Sequence, residues 1–109
     1  MDGARKFLFV CSQNKLRSPT AEVIFSGLDG IEALSAGTNN DAETPLCAEL
    51  IEWADHVFAM ERTHRKKIQA KFRQALNDKP LIVLDIPDDY EFMDPALVEL
   101  LKARMRRWL

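Results

Sequence analysis

The chain alternates short apolar runs with segments whose apolar residues recur at helical spacing. Four apolar runs predict β-strands, at residues 6–10, 31–36, 56–60 and 80–84. Helices are predicted to begin at Ser18-Pro19, Thr44-Pro45, residue 62 and Asp94-Pro95, because Ser, Thr and Asp cap helices and Pro suits their first turn. The Ser18 helix should carry Ala21, Ile24, Phe25 and Leu28 on its buried face, and the helix from residue 62 should run to residue 76.

Strands that alternate with helices imply a parallel sheet covered on both faces. We therefore predict an α/β fold, a three-layer α/β/α arrangement with a four-stranded parallel sheet. No repeat, low-complexity tract or linker interrupts the pattern, so a single domain over residues 1–109 is expected. Such sheets bind ligands beyond the carboxyl ends of their strands, which here are Val10, Ala36, Met60 and Leu84.

Composition narrows the functional classes. The 109 residues include 15 Lys or Arg and 17 Asp or Glu, for a formal net charge of -2, and 47% are hydrophobic. This balance excludes a disordered chain and does not favour nucleic acid as a partner. The apolar runs, such as residues 81–84, are too short to span a bilayer, and the run before Cys11 is too short for a secretion signal. We expect a cytoplasmic protein with no membrane partner and two free thiols, of which Cys47 is structural.

The segment after the first predicted strand carries the main candidate chemistry. It reaches the Ser18 helix within a few residues, so it must curl and turn its backbone N–H groups inward as a nest for an anion. The nest and the helix N-terminus favour a thiolate at Cys11, and Arg17 offers a planar fork that matches two phosphate oxygens. Ser18 should cap the helix and donate to the thiolate. The predicted substrate-binding residues are Ser12, Gln13, Asn14, Lys15, Leu16 and Ser18.

A second interpretation treats Cys11 as an inert buried residue and Arg17 as a surface residue. It leaves unexplained why a strand, a cysteine, an arginine and a helix start follow one another in this order. At this point the chain resembles a known family: residues 7–11, Asn14 and residues 17–22 are similar to the signature of the low-molecular-weight protein tyrosine phosphatases. Residues 35–38 and 55–61 resemble the second and third strands of that family. The short bacterial predicted tyrosine phosphatases are the members it resembles most.

The resemblance implies the fold of that family and hydrolysis of phosphotyrosine without metal or cofactor, but three departures leave the substrate preference open. Gln13 stands where the family usually has Gly, although Asn14 readily adopts a left-handed conformation. Leu16 replaces a second loop cysteine, which removes an oxidative partner for Cys11. The stretch between Thr38 and Asp55 holds one helix, where longer members have an insertion that walls the substrate cleft.

Release of a tyrosyl oxygen, with a pKa of about 10, calls for a proton donor. In the resembled family the donor is an Asp followed by Pro just after the fourth strand. Asp85 has this position but is separated from Pro87 by one residue, so it is our first candidate, and Asp88 is the second. Asp94-Pro95 matches the dipeptide but is better explained as a helix start.

These features predict a phosphomonoester hydrolase that works through a cysteinyl-phosphate intermediate. Cys11 is the nucleophile, Arg17 clamps the phosphate, and Asp85 or Asp88 is the general acid. The expected substrate is a phosphotyrosine-containing protein or a small aryl phosphate. One alternative is a non-catalytic phosphate or phosphopeptide-binding module. Arsenate reductase is a weaker alternative, because the thioredoxin-coupled type needs further cysteines and none follows Cys47. Neither His56 nor His64 has the spacing of a metal site, and the oligomeric state is left open.

Overall fold

Four parallel β-strands form the centre of the computed structural model, which describes residues 4–109. The strands are β1 (Arg5–Cys11), β2 (Ile31–Gly37), β3 (His56–Ala59) and β4 (Leu81–Val83). They lie in the order β2-β1-β3-β4, and every neighbouring pair is parallel. The predicted α/β fold is confirmed. Residues 1–3 of the predicted domain lie outside the described residues.

Helices cover both faces of the sheet. They are α1 (Arg17–Ser26), α2 (Ala48–Trp53), α3 (Arg62–Lys71), α4 (Arg73–Leu76) and α5 (Pro95–Met105), which a 3-10 turn follows at Arg106–Trp108. Helices α1 and α5 pack on one face, and α2, α3 and α4 contribute to the apolar cluster on the other. This is the predicted three-layer arrangement. Within residues 4–109, no helix is long and apolar enough to cross a membrane.

Strand β1 lies in the interior of the sheet and is buried on both faces. Phe7 and Phe9 belong to the cluster under α1 and α5, whereas Leu8 and Val10 belong to the opposite cluster, and all four are 0% exposed. Burial on both sides explains why this strand is an uninterrupted apolar run. The Phe9 ring also stacks on the Phe58 ring of β3, with 5.3 Å between their centroids. Packing on both faces therefore fixes the position of the carboxyl end of β1, at the side of the sheet where the parallel strands end.

Two predicted helix starts are wrong. Helix α1 begins at Arg17, with Leu16 as the N-cap, and Ser18 makes no capping bond. Pro19 is tolerated at the third helical position because the first N–H groups of a helix have no intrahelical partner. Helix α2 begins at Ala48 rather than at Thr44-Pro45, because that segment is extended beside β2. There the N–H of Gly37 donates to the carbonyl of Thr44 at 2.9 Å.

Smaller differences concern the second half of the chain and the end of α1. The single helix predicted over residues 62–76 is two helices, α3 and α4, because the backbone at Phe72 departs from helical angles. Strand β4 is shorter than predicted. Leu28, expected in the core, is 43% exposed because α1 ends at Ser26. The start of α5 is confirmed, since the Asp94 carboxylate accepts from the Ala96 N–H at 2.9 Å.

Gly37 lies where the end of β2 passes the segment that follows β1. A Cβ at this position would overlap the carbonyl oxygen of Ser12 and lie 2.6 Å from the Cβ of Ala42. The overlap with Ser12 is with backbone, which cannot move away as a flexible side chain can. The absence of a side chain at Gly37 is therefore a condition for the close approach of β2 to the Cys11 segment.

We predict that Gly37→Ala lowers the free energy of unfolding by roughly 2 kcal/mol or more, because the added methyl group forces the backbone apart. Gly27→Ala is the matched control, since a Cβ there would have its nearest contact at 3.8 Å, an ordinary van der Waals distance. Urea unfolding followed by circular dichroism measures both changes. Equal stability of Gly37→Ala and the wild type would show that the close approach is not needed.

Candidate active site

The segment from Cys11 to Arg17 curls around the Cys11 sulfur at the carboxyl edge of the sheet. Cys11 is the last residue of β1 and is 3% exposed. The backbone N–H of Asn14 donates to its Sγ at 3.2 Å, and the Ser18 hydroxyl lies 2.9 Å from the same atom. Both groups lie within hydrogen-bonding distance of the sulfur, and α1 begins at Arg17, the last residue of the same segment. We refer to residues 11–17 as the phosphate loop.

Asn14 fixes the curvature of the phosphate loop. Its φ of 59° is left-handed, as expected from the sequence, and its side chain is buried. The Asn14 Nδ2 donates to the Ser18 Oγ at 3.0 Å, which leaves the Ser18 hydroxyl hydrogen available to the Cys11 sulfur. The side chain of Asn14 thus locks the conformation that turns its own N–H toward the nucleophile.

Arg17 is buried at the other end of the phosphate loop, with an exposure of only 3%. Its Nη1 donates to the carbonyl oxygen of Ile86 at 2.7 Å and lies 3.2 Å from the Glu61 Oε1. Its Nε lies 3.7 Å from the Asp88 Oδ1. The guanidinium is thus fixed from the loop after β4 and from the start of α3. The interpretation of Arg17 as a surface residue is wrong.

A pocket of about 190 Å³ opens above the sulfur. Its lining consists of Cys11, Ser12, Gln13, Lys15, Leu16, Arg17 and Asp88. Four of the six predicted substrate-binding residues are in this lining, and the other two, Asn14 and Ser18, contact the sulfur from the protein side. A strand end, a curled backbone and a buried cation therefore surround one small cavity, which suits a tetrahedral anion.

The two candidate acids differ in position. Asp88 lines the pocket, and its side chain is 67% exposed. Asp85, our first candidate, is exposed in a left-handed conformation with a φ of 57°, and it is not among the residues that line this pocket. Asp94 caps α5. The structure thus brings Asp88, rather than Asp85, to the phosphate loop.

The first turn of α3 contributes two site residues that the sequence analysis did not identify. Glu61 and His64 form a reciprocal cap: the Glu61 side chain accepts from the His64 backbone N–H, and the His64 Nδ1 accepts from the Glu61 backbone N–H at 3.0 Å. His64 is 1% exposed, and its Nε2 lies 2.8 Å from the Ser12 Oγ. The three-residue spacing of Glu61 and His64 directly after β3, which is the spacing of a reciprocal helix cap, is the sequence signal that could have placed them at the carboxyl ends of the strands.

The environment of His64 keeps its ring neutral. Burial is the main cause that lowers the pKa of His64 from 6.5 to about 4, and the positive charge of Arg17 acts in the same direction. Lys67 lowers the pKa further, whereas Glu61 and Asp88 oppose the shift. Since the Nδ1 accepts a hydrogen bond, the single ring proton is on Nε2 at neutral pH.

We predict that acid destabilises this protein in part through His64. The unfolded chain takes up a proton on His64 as the pH falls below 6.5, whereas the folded chain resists uptake down to about 4. Stability is therefore complete well above pH 6.5 and decreases as the pH falls through 6.5 toward 4, by roughly 3 kcal/mol from this residue. Urea unfolding from pH 7 to 4.5 measures the slope, which should be smaller in His64→Gln. An identical slope in both proteins would contradict the prediction.

Comparisons with known proteins agree with this geometry. A model of the family described as low molecular weight phosphotyrosine protein phosphatase matches residues 6–53, which include the phosphate loop. A search of curated protein sequences found no match. The arginine phosphatase YwlE from Geobacillus stearothermophilus has 27% sequence identity and a TM-score of 0.78, and the alignment covers 95% of this chain and 90% of YwlE.

Two further structures share the fold. A mutant of YwlE from Bacillus subtilis is 26% identical, with a TM-score of 0.72 over 96% of this chain and 99% of that one. The tyrosine phosphatase Wzb from Escherichia coli K30, in complex with phosphate, is 21% identical, with a TM-score of 0.75 over 96% of each chain. The family and these neighbours are described as phosphatases of phosphotyrosine or phosphoarginine. The resemblance drawn from the sequence is confirmed: this chain has the phosphate loop and the fold of the low molecular weight phosphotyrosine protein phosphatases.

Proposed function

We propose that this protein hydrolyses phosphomonoesters of the phosphotyrosine type through a cysteinyl-phosphate on Cys11. The proposal rests on the surroundings of the Cys11 sulfur. This sulfur accepts a hydrogen bond from the Asn14 N–H at 3.2 Å and lies at the base of a pocket beside the buried Arg17. A thiolate and a fixed guanidinium at one cavity suit a nucleophile under a bound phosphoryl group. This constellation favours catalysis over a site that only binds phosphate.

In the proposed first step, the Cys11 thiolate attacks phosphorus in line with the leaving oxygen. The sulfur–phosphorus bond forms as the phosphorus–oxygen bond to the tyrosyl group breaks. The backbone N–H groups of the phosphate loop and the Arg17 guanidinium hold the other three oxygens, whose negative charge they stabilise in the transition state. Ser12, Gln13, Lys15 and Leu16, which line the pocket, complete the proposed binding site.

Asp88 is the proposed general acid, in preference to Asp85. Its carboxyl lines the pocket, whereas Asp85 is not among the lining residues. In the first step the Asp88 carboxyl gives its proton to the tyrosyl oxygen. In the second step its carboxylate takes a proton from water, which attacks phosphorus and breaks the bond to sulfur. Inorganic phosphate leaves, and the Cys11 thiolate is restored.

The proposed substrate is a phosphotyrosine-containing protein or an aryl phosphate. Phosphoarginine is a second candidate, because the structural relative that is 27% identical over 95% of this chain is an arginine phosphatase. Lys15 lines the pocket and carries a positive charge, which disfavours the approach of a guanidinium group. The phosphotyrosine side chain has no such charge, so it is the first candidate.

The proposal extends to the whole chain and its compartment. We propose one phosphatase domain over residues 1–109, supported by the sheet and its two covering layers, and limited proteolysis tests it through the survival of a single fragment.

We also propose a cytoplasmic location, because Cys11 and Cys47 are both free and a nucleophilic thiol is preserved in a reducing compartment. Cell fractionation tests the location.

We predict that Cys11→Ser abolishes hydrolysis of p-nitrophenyl phosphate and that Asp88→Asn lowers kcat by roughly 100-fold or more with phenyl phosphate. The loss in Asp88→Asn should be smaller with p-nitrophenyl phosphate, whose leaving group needs less protonation. Asp85→Asn is the matched control and should stay within about twofold of the wild type, since effects of exposed residues outside a site are small. Steady-state kinetics with both esters measure these changes.

Three outcomes would contradict this assignment. Turnover that persists in Cys11→Ser excludes the covalent intermediate. A larger loss in Asp85→Asn than in Asp88→Asn returns the acid role to Asp85. A wild-type protein that binds orthovanadate but hydrolyses no aryl phosphate is a non-catalytic binding module. Faster turnover of a phosphoarginine peptide than of a phosphotyrosine peptide would reverse the order of the two substrate classes.

A further inference from the structure

The first turn of α3 contacts the phosphate loop directly behind the nucleophile. The His64 Nε2 lies 2.8 Å from the Ser12 Oγ, although the two residues are 52 positions apart in the chain. Ser12 lines the pocket, whereas His64 is buried behind it and is not among the lining residues. This contact therefore joins a buried ring to the hydroxyl group of a residue that lines the pocket.

The direction of the hydrogen bond between His64 and Ser12 follows from the contact of the other ring nitrogen of His64. The His64 Nδ1 faces the backbone N–H of Glu61 at 3.0 Å, so Nδ1 must be an acceptor and Nε2 carries the ring proton. The Nε2–H donates to the Ser12 Oγ. Because that oxygen accepts from the ring, the hydroxyl hydrogen of Ser12 is left to point elsewhere. The pocket is the side of Ser12 that is open to a ligand.

We propose that His64 is a positioning residue, which holds the Ser12 hydroxyl so that its hydrogen is donated to the oxyanion bound above Cys11. The anion is the phosphoryl group of the proposed function, on which this inference rests. Ser12 would add a side-chain donor to the backbone N–H groups of the phosphate loop. His64 itself touches neither substrate nor the reacting atoms.

The same cap also connects His64 to the opposite end of the phosphate loop. Glu61, whose backbone N–H fixes the His64 tautomer, has its Oε1 3.2 Å from the Arg17 Nη1 and 3.9 Å from the His64 Nε2. One helical turn therefore holds both the residue after the nucleophile and the arginine clamp. Precise placement of donors matters here because an oxyanion site stabilises a transition state only through groups that are already oriented.

Charges around the ring keep this orientation constant across the pH range of an enzyme assay. The groups that face His64 are Arg17 of α1, Glu61 and Lys67 at α3, and Asp88 after β4. Burial and the positive charges of Arg17 and Lys67 outweigh the opposing charges of Glu61 and Asp88, so the ring stays neutral above about pH 4. The contribution of His64 should therefore be equal at pH 5.5 and pH 7.5, unlike that of a histidine that exchanges protons in the reaction.

Two substitutions at His64 separate its donor role from its capping role. In His64→Asn, the side-chain oxygen replaces Nδ1 as the acceptor for the Glu61 N–H, but no donor reaches Ser12. In His64→Gln, the longer side chain places an amide donor near the position of Nε2. We predict that His64→Asn weakens orthovanadate binding and lowers kcat/KM by roughly tenfold, as expected for loss of a hydrogen bond to an anion, and that His64→Gln restores most of both.

The matched control is His56→Asn, the same substitution in the other histidine, which lies at the start of β3 at the opposite edge of the sheet. It should leave kcat/KM and orthovanadate affinity unchanged. Ser12→Ala should reproduce the loss of His64→Asn, and the double variant should lose no more than Ser12→Ala alone, because both changes remove one interaction. If His64→Asn does not fold, Ser12→Ala still tests whether the Ser12 hydroxyl contributes to anion binding.

Several results would overturn the proposal. These are wild-type orthovanadate affinity in His64→Asn or in Ser12→Ala, equal losses in the Asn and Gln variants, or additive losses in the double variant. A loss in His64→Asn that changes between pH 5.5 and 7.5 would also overturn it. Orthovanadate binding is measured by titration without turnover. If the wild type hydrolyses no phosphate ester, the proposed function fails while the binding measurements still decide the role of His64.

Discussion

The placement of the Cys11 sulfur at the end of a buried strand is the constraint on which the rest of the site depends. Backbone N–H groups inside a paired strand already donate to neighbouring strands, so the sulfur can receive such donors only where β1 stops and N–H groups become available. Strand β1 meets this requirement because it pairs with β2 and with β3 and is covered on both faces. The left-handed turn at Asn14 then supplies a donor at 3.2 Å within three residues of the strand end.

The sheet brings the remaining site residues to the same edge. Since all strands are parallel, the segments after β1, β3 and β4 emerge side by side. Cys11 is the last residue of β1, Glu61 and Asp88 lie in the segments after β3 and β4, and Arg17, in the segment after β1, contacts both of the carboxylates. Close packing between backbone segments maintains this arrangement. At Gly37, for example, the backbone approaches Ser12 so closely that there is no room for a side chain. The site is thus a product of strand order as much as of the loop motif.

Local rules accounted for most of the fold and for the phosphate loop, and tertiary contacts account for what they missed. The apolar run of β1 and the cap at Asp94 were predictable because neighbouring residues decide them. The prediction that Ser18 caps α1 was wrong because the Ser18 hydroxyl contacts the Cys11 sulfur, at 2.9 Å, instead of capping the helix. In the sequence, His64 is one residue of the helix predicted from residue 62, and only the folded chain shows it beside Ser12, 52 residues away.

Burial of Arg17 explains why Glu61 is part of the site even though it lines no part of the pocket. An unpaired guanidinium in the interior carries a large desolvation cost, whereas the Ile86 carbonyl and the Glu61 carboxylate satisfy one of its nitrogens before any ligand arrives. The guanidinium is therefore held in place before any ligand arrives, and Arg17 also lines the pocket above the Cys11 sulfur. Asp88 is farther from it, at 3.7 Å, and more exposed than Glu61, so the Asp88 carboxylate is held less tightly, which suits the acid role proposed for it, while Glu61 keeps the guanidinium in place.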